Sequence, residues 1–499
     1  MAWPSPSFWL DAFGGYNAQT QGVLRQDRTL LELATASNLV PDPIGDLVSR
    51  PGFSHVRATT TGAAHVFTGL FHLQDLADKF ILWNGADGKP YQDSANPPVA
   101  LTGGTAFTTG DNVLVRGTVF NNKLIAVSNA RDLPQTIDAT PTWADLGGTP
   151  ARGVDVKSFA RRVCMFSPIY SGTTYRSLMS FTSSNDDETA WTNPVTINFL
   201  NFGRTGTDVN LLGGEVYKSQ LIAFTEDRAY PVYATPNATI PLAFRDALFT
   251  EDGGGPASIH SVVAANDKLY WLSRNFDVKV MSGLGAPKSI GYPIQPLLRG
   301  LNDSRRIYAV GGWEPQYRLV VWCVSDGADT QNKTTIALQV DTGHYYIHTI
   351  QVNALVNRIV SGELRLIGGH YNGLFSNLYD SSTTGNLQTA ATAIDADTIT
   401  PPLHLGMPGV VKKIPYCIFE FDTVASEAVT LQFDLDQSGS WTSFAESTFS
   451  PTDGNPLAYC TIPAPFERIS LRIRNNTSGA RYRVLRIGFP APRVAGVSR

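Results

Sequence analysis

From Ala63 to about Asp380 the chain repeats one short pattern, and that repetition limits what it can fold into. Each copy is a short apolar run, a turn of Asn, Asp, Lys or Gly, and a second apolar run that often carries an aromatic. The turns include Asn84-Gly85, Asn121-Asn122, Lys218-Ser219-Gln220 and Asn266-Asp267. Two apolar runs about such a turn are a β-hairpin signal. The copies begin near residues 65, 113, 155, 215, 259, 308 and 357, so successive starts differ by 48, 42, 60, 44, 49 and 49. A period of about 40–50 residues built from short strands is the mark of a radial β-propeller. One such unit cannot bury both of its faces, so the array makes sense as a closed ring. The expectation is an all-β chain with a propeller of about seven blades, six or eight being possible. No WD dipeptide or kelch Gly-Gly signature repeats, so the blades are divergent.

The pattern changes on both sides of the repeats. From Thr398 the strands are longer and alternate, most cleanly in Ile469-Ser470-Leu471-Arg472-Ile473-Arg474, which predicts one buried and one wet face. Pro401-Pro402 reads as a linker into this part, and the tail from Pro490 reads as a mobile end. Ahead of the repeats lies a stretch from Phe13 to Phe53 with a Gly pair, Gly14-Gly15, and an apolar run through Leu33 to Asn38. It continues through the turn Asp42-Pro43-Ile44-Gly45-Asp46 to the close Arg50-Pro51-Gly52-Phe53. The predicted organisation is an N-terminal arm with platform strands over 1–62, a propeller over 63–397 and a C-terminal β-sandwich or platform over 398–499.

Composition narrows the function. Charged residues are 16% of the chain and the net charge is −4, against roughly 25% charged in an average soluble domain. This does not suit a protein that grips phosphates by bulk charge. The four cysteines, Cys164, Cys323, Cys417 and Cys460, form no CxxC, and buried thiols are the expectation; Cys417 and Cys460 could be neighbours. The first residues lack the basic start and apolar run of a signal peptide, and no run approaches ~18 apolar residues, so no membrane span is expected.

Candidate sites read as structural. Asp186-Asp187-Glu188 before Trp191, and Asp434 to Trp441, are turn formers rather than a carboxylate pair for glycoside hydrolysis. Gly253-Gly254-Gly255 lacks the Lys-Ser/Thr of a phosphate loop. His344 and His348 have zinc-like spacing but lie in a strand, where that spacing separates them. Lys412, Lys413, Arg472, Arg474, Arg483 and Arg486 form a solvated or interfacial face. No catalytic, cofactor or metal residue is assigned, and the chain reads as a non-enzyme.

Several stretches together resemble the tail nozzle proteins of short-tailed bacteriophages. They are the Gly14-to-Phe53 stretch with its Asn38 and Arg50-Pro51-Gly52-Phe53, the series Phe159, Arg162 and Phe166, and the run from Ser183 to Trp191. Leu269-Tyr270-Trp271-Leu272-Ser273 and Ile367-Gly368-Gly369-His370-Tyr371-Asn372-Gly373 are similar too. The resemblance runs nearly the full length. It implies a virion protein assembled in the host cytoplasm, with six copies ringed beneath a portal and its adaptor and docking fibres or a tail tip. DNA would pass through the ring without sequence-specific contacts. The competing reading is a propeller that binds or cleaves glycans. In a ring protein the arm, with Trp3, Trp9, Phe13 and Phe53, is expected to staple the platform to a neighbour or cap the first blade.

Overall fold

The computed structural model describes residues 6–10, 13–17, 31–41, 46–57, 66–73, 79–95, 97–138, 140, 142–192, 195–203, 209–245, 247–248, 254–360, 362–371, 373–380, 387–389, 392–422, 429–450, 456–476 and 481–495. Trp3, the turn at 42–45 and Gly253 lie outside them.

Seven four-stranded antiparallel blades form a propeller. Their innermost strands are Phe67–Leu73, Val115–Phe120, Asp155–Phe159, Leu211–Tyr217, Val263–Ala265, Val310–Glu314 and Val352–Val360. The ring is closed by chain exchange. Blade seven takes three strands from residues 352–377 and its outermost strand, Ser54–Arg57, from the N-terminal segment. Asn377 Nδ2 donates to Ser54 Oγ at 2.8 Å across that seam. The expected boundary at residue 62 therefore falls after a strand that belongs to the propeller.

Local chemistry explains the hairpins. Residues with consecutive positive φ turn the first strand into the second at Asn121-Asn122, Lys218-Ser219 and Asn266-Asp267, with φ between 45° and 62°. Such two-residue turns match the right-handed twist of the flanking strands. Ala160-Arg161 makes the same turn at φ 49° and 60°, although its residues carry no turn preference. Packing does the rest. One cluster joins Trp83 and Phe107 of blade one to Val115 and Trp143 of blade two. Another joins Phe224 of blade four to Trp271 of blade five, and a third joins Phe375 of blade seven to Phe67 and Phe80 of blade one. Each fully buried aromatic contributes up to about 3 kcal/mol, and none could be buried by its blade alone.

The platform is a two-layer sandwich. One layer runs in the order 457–461, 416–421, 483–489, 47–49 and 39–41, with Phe8–Leu10 paired to the strand at 483–489. The other is continuous with blade six. From that blade's outer strand, Tyr345–His348, hydrogen bonding passes through Thr35–Ser37, Ala396–Ile399, Ile469–Asn475 and Val429–Leu435 to Thr442–Phe449, within one sheet of eleven strands. Leu33, Phe419, Leu431, Phe433, Ile473 and Ile487 fill the sandwich and merge with the core of blades six and seven.

Two expectations are corrected here. Pro401 and Pro402 are buried, and Leu403 bridges Ile469, so this segment is platform rather than linker. The tail is paired as far as Arg493–Val494, which lies against Lys412–Lys413. Within the chain, the described part of the arm stitches blade six to the platform. Leu33, Ala36 and Leu39 of the arm are buried there.

Candidate functional site

The seven inner strands surround two cavities along the propeller axis. The inner one, about 400 Å³, is lined by the middles of those strands. The outer one, about 370 Å³, opens on the face where the inner strands begin. His260 borders both.

A neutralised ion cluster occupies the inner cavity. Arg116 Nε lies 3.0 Å from Asp155 Oδ1, and its Nη2 lies 3.3 Å from Glu215 Oε2. Lys157 Nζ reaches the same Glu215 oxygen at 2.7 Å. Asp155 Oδ2 also accepts from Gly214 N at 2.9 Å. Burial alone would push the Asp155 carboxyl up, but Arg116 and Lys157 outweigh it and hold it below the usual carboxylate range. For Arg116 burial again works against the charge, and Asp155 and Glu215 overcome it. For His260 the help from Asp155 is too small. Burial first, then Arg116, brings it down to about 3, so its imidazole is neutral. Two cations and two carboxylates satisfy one another. Its one signal in the sequence is an Arg or a Glu inside an otherwise apolar inner strand, which local spacing does not mark as a site.

The outer cavity has a basic rim. Arg131 and Arg274 line it with Asn129, Asn210 and, among the described residues, one carboxylate, Glu226, and Ile307 and Tyr308 form part of its wall. Arg274 Nη1 pairs with Glu226 Oε2 at 2.6 Å, and Asn210 Nδ2 donates to Oε1 at 3.0 Å.

The residues weighed from sequence lie elsewhere. Asp187 Oδ1 accepts from Thr189 N at 2.9 Å and from its hydroxyl at 2.7 Å, closing a turn. Asp186, at φ 55°, pairs with Arg161. Glu188 takes Lys123 Nζ at 2.5 Å and Asn121 Nδ2 at 3.0 Å. Asp434 likewise accepts from Ser438 N and Gly439 N within its turn. Among the described residues no group of three or more His, Cys, Asp or Glu is placed to hold a metal ion. Cys417 and Cys460 face each other across paired strands as buried thiols not joined in a disulfide. Most of the basic face is neutralised. Arg472 forks onto Asp397 at 2.9 and 2.7 Å, Arg474 onto Asp395, Arg483 reaches Asp46 and Asp422, and Arg486 reaches Glu420. Lys412 is buried, with its Nζ donating to the Glu467 carbonyl.

A buried polar joint lies where arm, blade six and platform meet. Asn38, at φ 55°, donates Nδ2 to the Asp395 carbonyl at 2.7 Å and to Thr349 Oγ1 at 3.1 Å. Its Oδ1 accepts from Arg50 Nε at 3.0 Å and from Thr349 N at 3.0 Å. Arg50 is fully buried over the Phe53 ring, 4.9 Å from its centroid. Desolvation brings its pKa down to about 10. His348 Nε2 lies 2.6 Å from the Leu39 carbonyl, which can only accept. Nε2 therefore carries the proton, and Nδ1 accepts from Tyr379 OH at 2.7 Å.

No protein-family model matches the sequence, and no curated protein sequence does either. Several solved propeller structures are similar at low identity. BamB from Moraxella catarrhalis is 14% identical with a TM-score of 0.38, covering 73% of this chain and 98% of that one. YCF48 bound to D1 peptide is 10% identical with a TM-score of 0.40, covering 66% and 98%. BBS1N in complex with ARL6DN is 11% identical with a TM-score of 0.40, covering 67% and 99%.

Proposed function

We propose that this chain is a structural subunit of a viral tail nozzle, six copies of which ring beneath a portal and its adaptor. In that assembly the platform faces the DNA channel, and the propeller stands at the periphery, where it offers docking surface to fibres or a tail tip. The observation that carries the reading is the joint. Asn38, one of the residues on which the resemblance rests, ends the strand Thr35–Ser37 that joins blade six to the platform in one continuous sheet, and Arg50 and Phe53 pack against it. A shared sheet transmits force without a hinge, as a conduit wall under pressure requires.

The axial carboxylates fit the same reading. Asp155 and Glu215 are held by Arg116 and Lys157, whereas a sugar-cleaving propeller needs carboxylates free to exchange protons. The paired platform arginines fit a wall along which DNA slides without being gripped. The test is sedimentation and negative-stain imaging of the purified chain, alone and with a cognate portal and adaptor. Six-fold rings that cap the portal–adaptor complex are expected. A monomer that ignores that complex and hydrolyses polysaccharide would overturn the reading.

A further inference from the structure

The inner cavity holds charges that cancel and hydrogen-bonding atoms that are not all used. Arg116 Nη2 and Lys157 Nζ reach the same Glu215 oxygen, Oε2, at 3.3 and 2.7 Å. Among the described residues the other oxygen, Oε1, accepts no hydrogen bond. Lys157 spends one N–H on Oε2 and has no other acceptor among the described residues, so its remaining protons are on offer. The ring nitrogens of His260 likewise have no partner among them, and the neutral ring presents one donor and one acceptor. Arg116, Lys157, Glu215 and His260 all line this cavity.

The cavity, about 400 Å³, is of ligand size. It opens to solvent where Ala264, one of its lining residues, is exposed. A flat apolar wall stands beside the polar atoms. The Phe71 ring lies on the backbone of Gly117, next to Arg116, where a Cβ would meet ring Cε1 at 2.8 Å. A Cβ on Gly69 would meet Cε2 at 3.1 Å. Glycine at both positions makes room for the ring.

Charge and geometry together set the ligand class. Two cations and two carboxylates sum to zero, so a charged ligand would lose its hydration with no counter-ion to replace it. A hydroxyl donates and accepts at once, which suits an unused carboxylate oxygen beside an unused ammonium proton. A ring with hydroxyls on its edge and C–H groups on its face matches polar atoms on one side and Phe71 on the other.

We propose that the inner axial cavity binds a neutral sugar of monosaccharide size, with a hydroxyl between Glu215 Oε1 and Lys157 Nζ and the sugar's face against Phe71. Both carboxylates stay held by cations, so the site binds without cleaving. This does not rest on the nozzle reading, because the site lies within one propeller and needs no assembly.

The test is saturation-transfer NMR on the full chain, titrated with glucose, galactose and mannose, and with glucuronate and glycine as anionic and zwitterionic comparisons. Saturable binding of at least one hexose, at about millimolar concentration or below, is expected. Glucuronate and glycine should bind at least about tenfold more weakly. Glu215→Gln should weaken the hexose about tenfold and Phe71→Leu about threefold or more, with a thermal melt to show that each variant is folded. Phe71→Leu leaves every charge in place, so it reports on the site even where Glu215→Gln loosens the cluster. Arg274→Gln alters the outer cavity alone and should bind as the parent does. Absence of saturable binding by all three hexoses would overturn the site. So would a folded Glu215→Gln or Phe71→Leu variant that binds as the parent does, or loss of binding in Arg274→Gln, which would move the sugar to the outer cavity. Tighter binding of glucuronate or glycine would overturn the neutral-sugar assignment.

Discussion

Arg50 donates its Nε proton to the side-chain oxygen of Asn38 at 3.0 Å, and both residues are fully buried. The same pair is joined in the backbone, Arg50 N to Asn38 O at 2.8 Å. These bonds close a loop of the arm at the place where blade six becomes platform. A charged donor to a buried amide is worth about 1.5–3 kcal/mol, and an orphaned partner costs more.

Asn38→Ala should therefore be among the most damaging single changes in the chain. It removes bonds to Arg50, Thr349 and the Asp395 carbonyl and forces alanine to φ 55°. A loss of about 3 kcal/mol or more is expected by chemical denaturation, and less for Asn38→Gly, which accepts the backbone angle. A double-mutant cycle with Arg50→Met should give a coupling of about 1.5–3 kcal/mol. Additive losses would mean the two side chains do not act as a pair.

The axial ions should rank by burial. Asp155→Ala leaves Arg116 inside the ring without its main partner and should cost about 3–5 kcal/mol. Glu215 is 22% exposed at its side chain and shares its cations, so Glu215→Gln should cost only about 1 kcal/mol. The reverse order in urea midpoints would show that the cluster is not held as described.

Stability should peak in mildly acidic solution. His260 and His348 are brought down to about 3 by burial, so below the usual imidazole pKa of 6.5 the unfolded chain binds protons that the folded chain refuses. Each therefore subtracts stability as pH falls from about 6.5 towards 3, at up to about 1.4 kcal/mol per pH unit. Glu314 works the other way. Its carboxyl is buried with Oε2 unpartnered, and burial raises its pKa to about 8. The folded chain then keeps a proton that the unfolded chain loses above 4.5, so stability falls as pH rises from about 4.5 to 8. Glu314→Gln should leave the melting temperature at pH 5 nearly unchanged and raise it at pH 8. Equal shifts at both values would remove ionisation as the cause.

Much of the architecture was readable because propeller blades are local. Asn121-Asn122 and Asn266-Asp267 announce their turns by residue type, and the spacing of the runs points to about seven blades, with six or eight left open. What stayed hidden depends on contacts far apart in sequence. Nothing in Ser54–Arg57 says that it pairs with Phe375–Asn377, more than three hundred residues away. Pro401-Pro402 looked like a linker because proline breaks strands, and only the bridge from Leu403 to Ile469 shows the segment to be core. The arginines at 472, 474, 483 and 486 looked free because their acids, from Asp46 to Asp422, come from other strands. The axial cluster joins Arg116, Asp155 and Glu215 from three blades, so no local spacing could reveal it.

The acidic turn of blade three should be dispensable to any chemistry. Asp187→Asn weakens bonds to Thr189 that close an exposed turn and should cost about 1 kcal/mol or less. A melt and a glycan-hydrolysis assay on the same sample would check it. Loss of a sugar-cleaving activity without loss of stability would favour the enzyme reading.

The arm offers the sharpest separation between stitch and staple. A staple to a neighbouring copy could be removed without harm to the fold, but a stitch could not. The strand Thr35–Ser37 lies between blade six and the platform, pairing Ile347 on one side and residues 397–399 on the other. Leu33 and Asn38 at its flanks are fully buried. Deleting residues 1–38 would therefore open an eleven-stranded sheet at its middle and strip Arg50 of its partner. The expected product has lost the cooperative melt of the platform. Deleting residues 1–12 is milder. It removes Phe8–Leu10 from the edge of the strand at 483–489 and the Trp9 ring from over Arg486, 4.1 Å from its centroid. That variant should fold with a modestly lower melting temperature, since a cation–π contact at a partly exposed site contributes about 0.5–1 kcal/mol. Circular dichroism melts of the two truncations, followed by sedimentation of the shorter one, separate the roles. A folded, cooperative chain lacking residues 1–38 would show that the arm is not built into the core, and would return it to the role of a staple between copies.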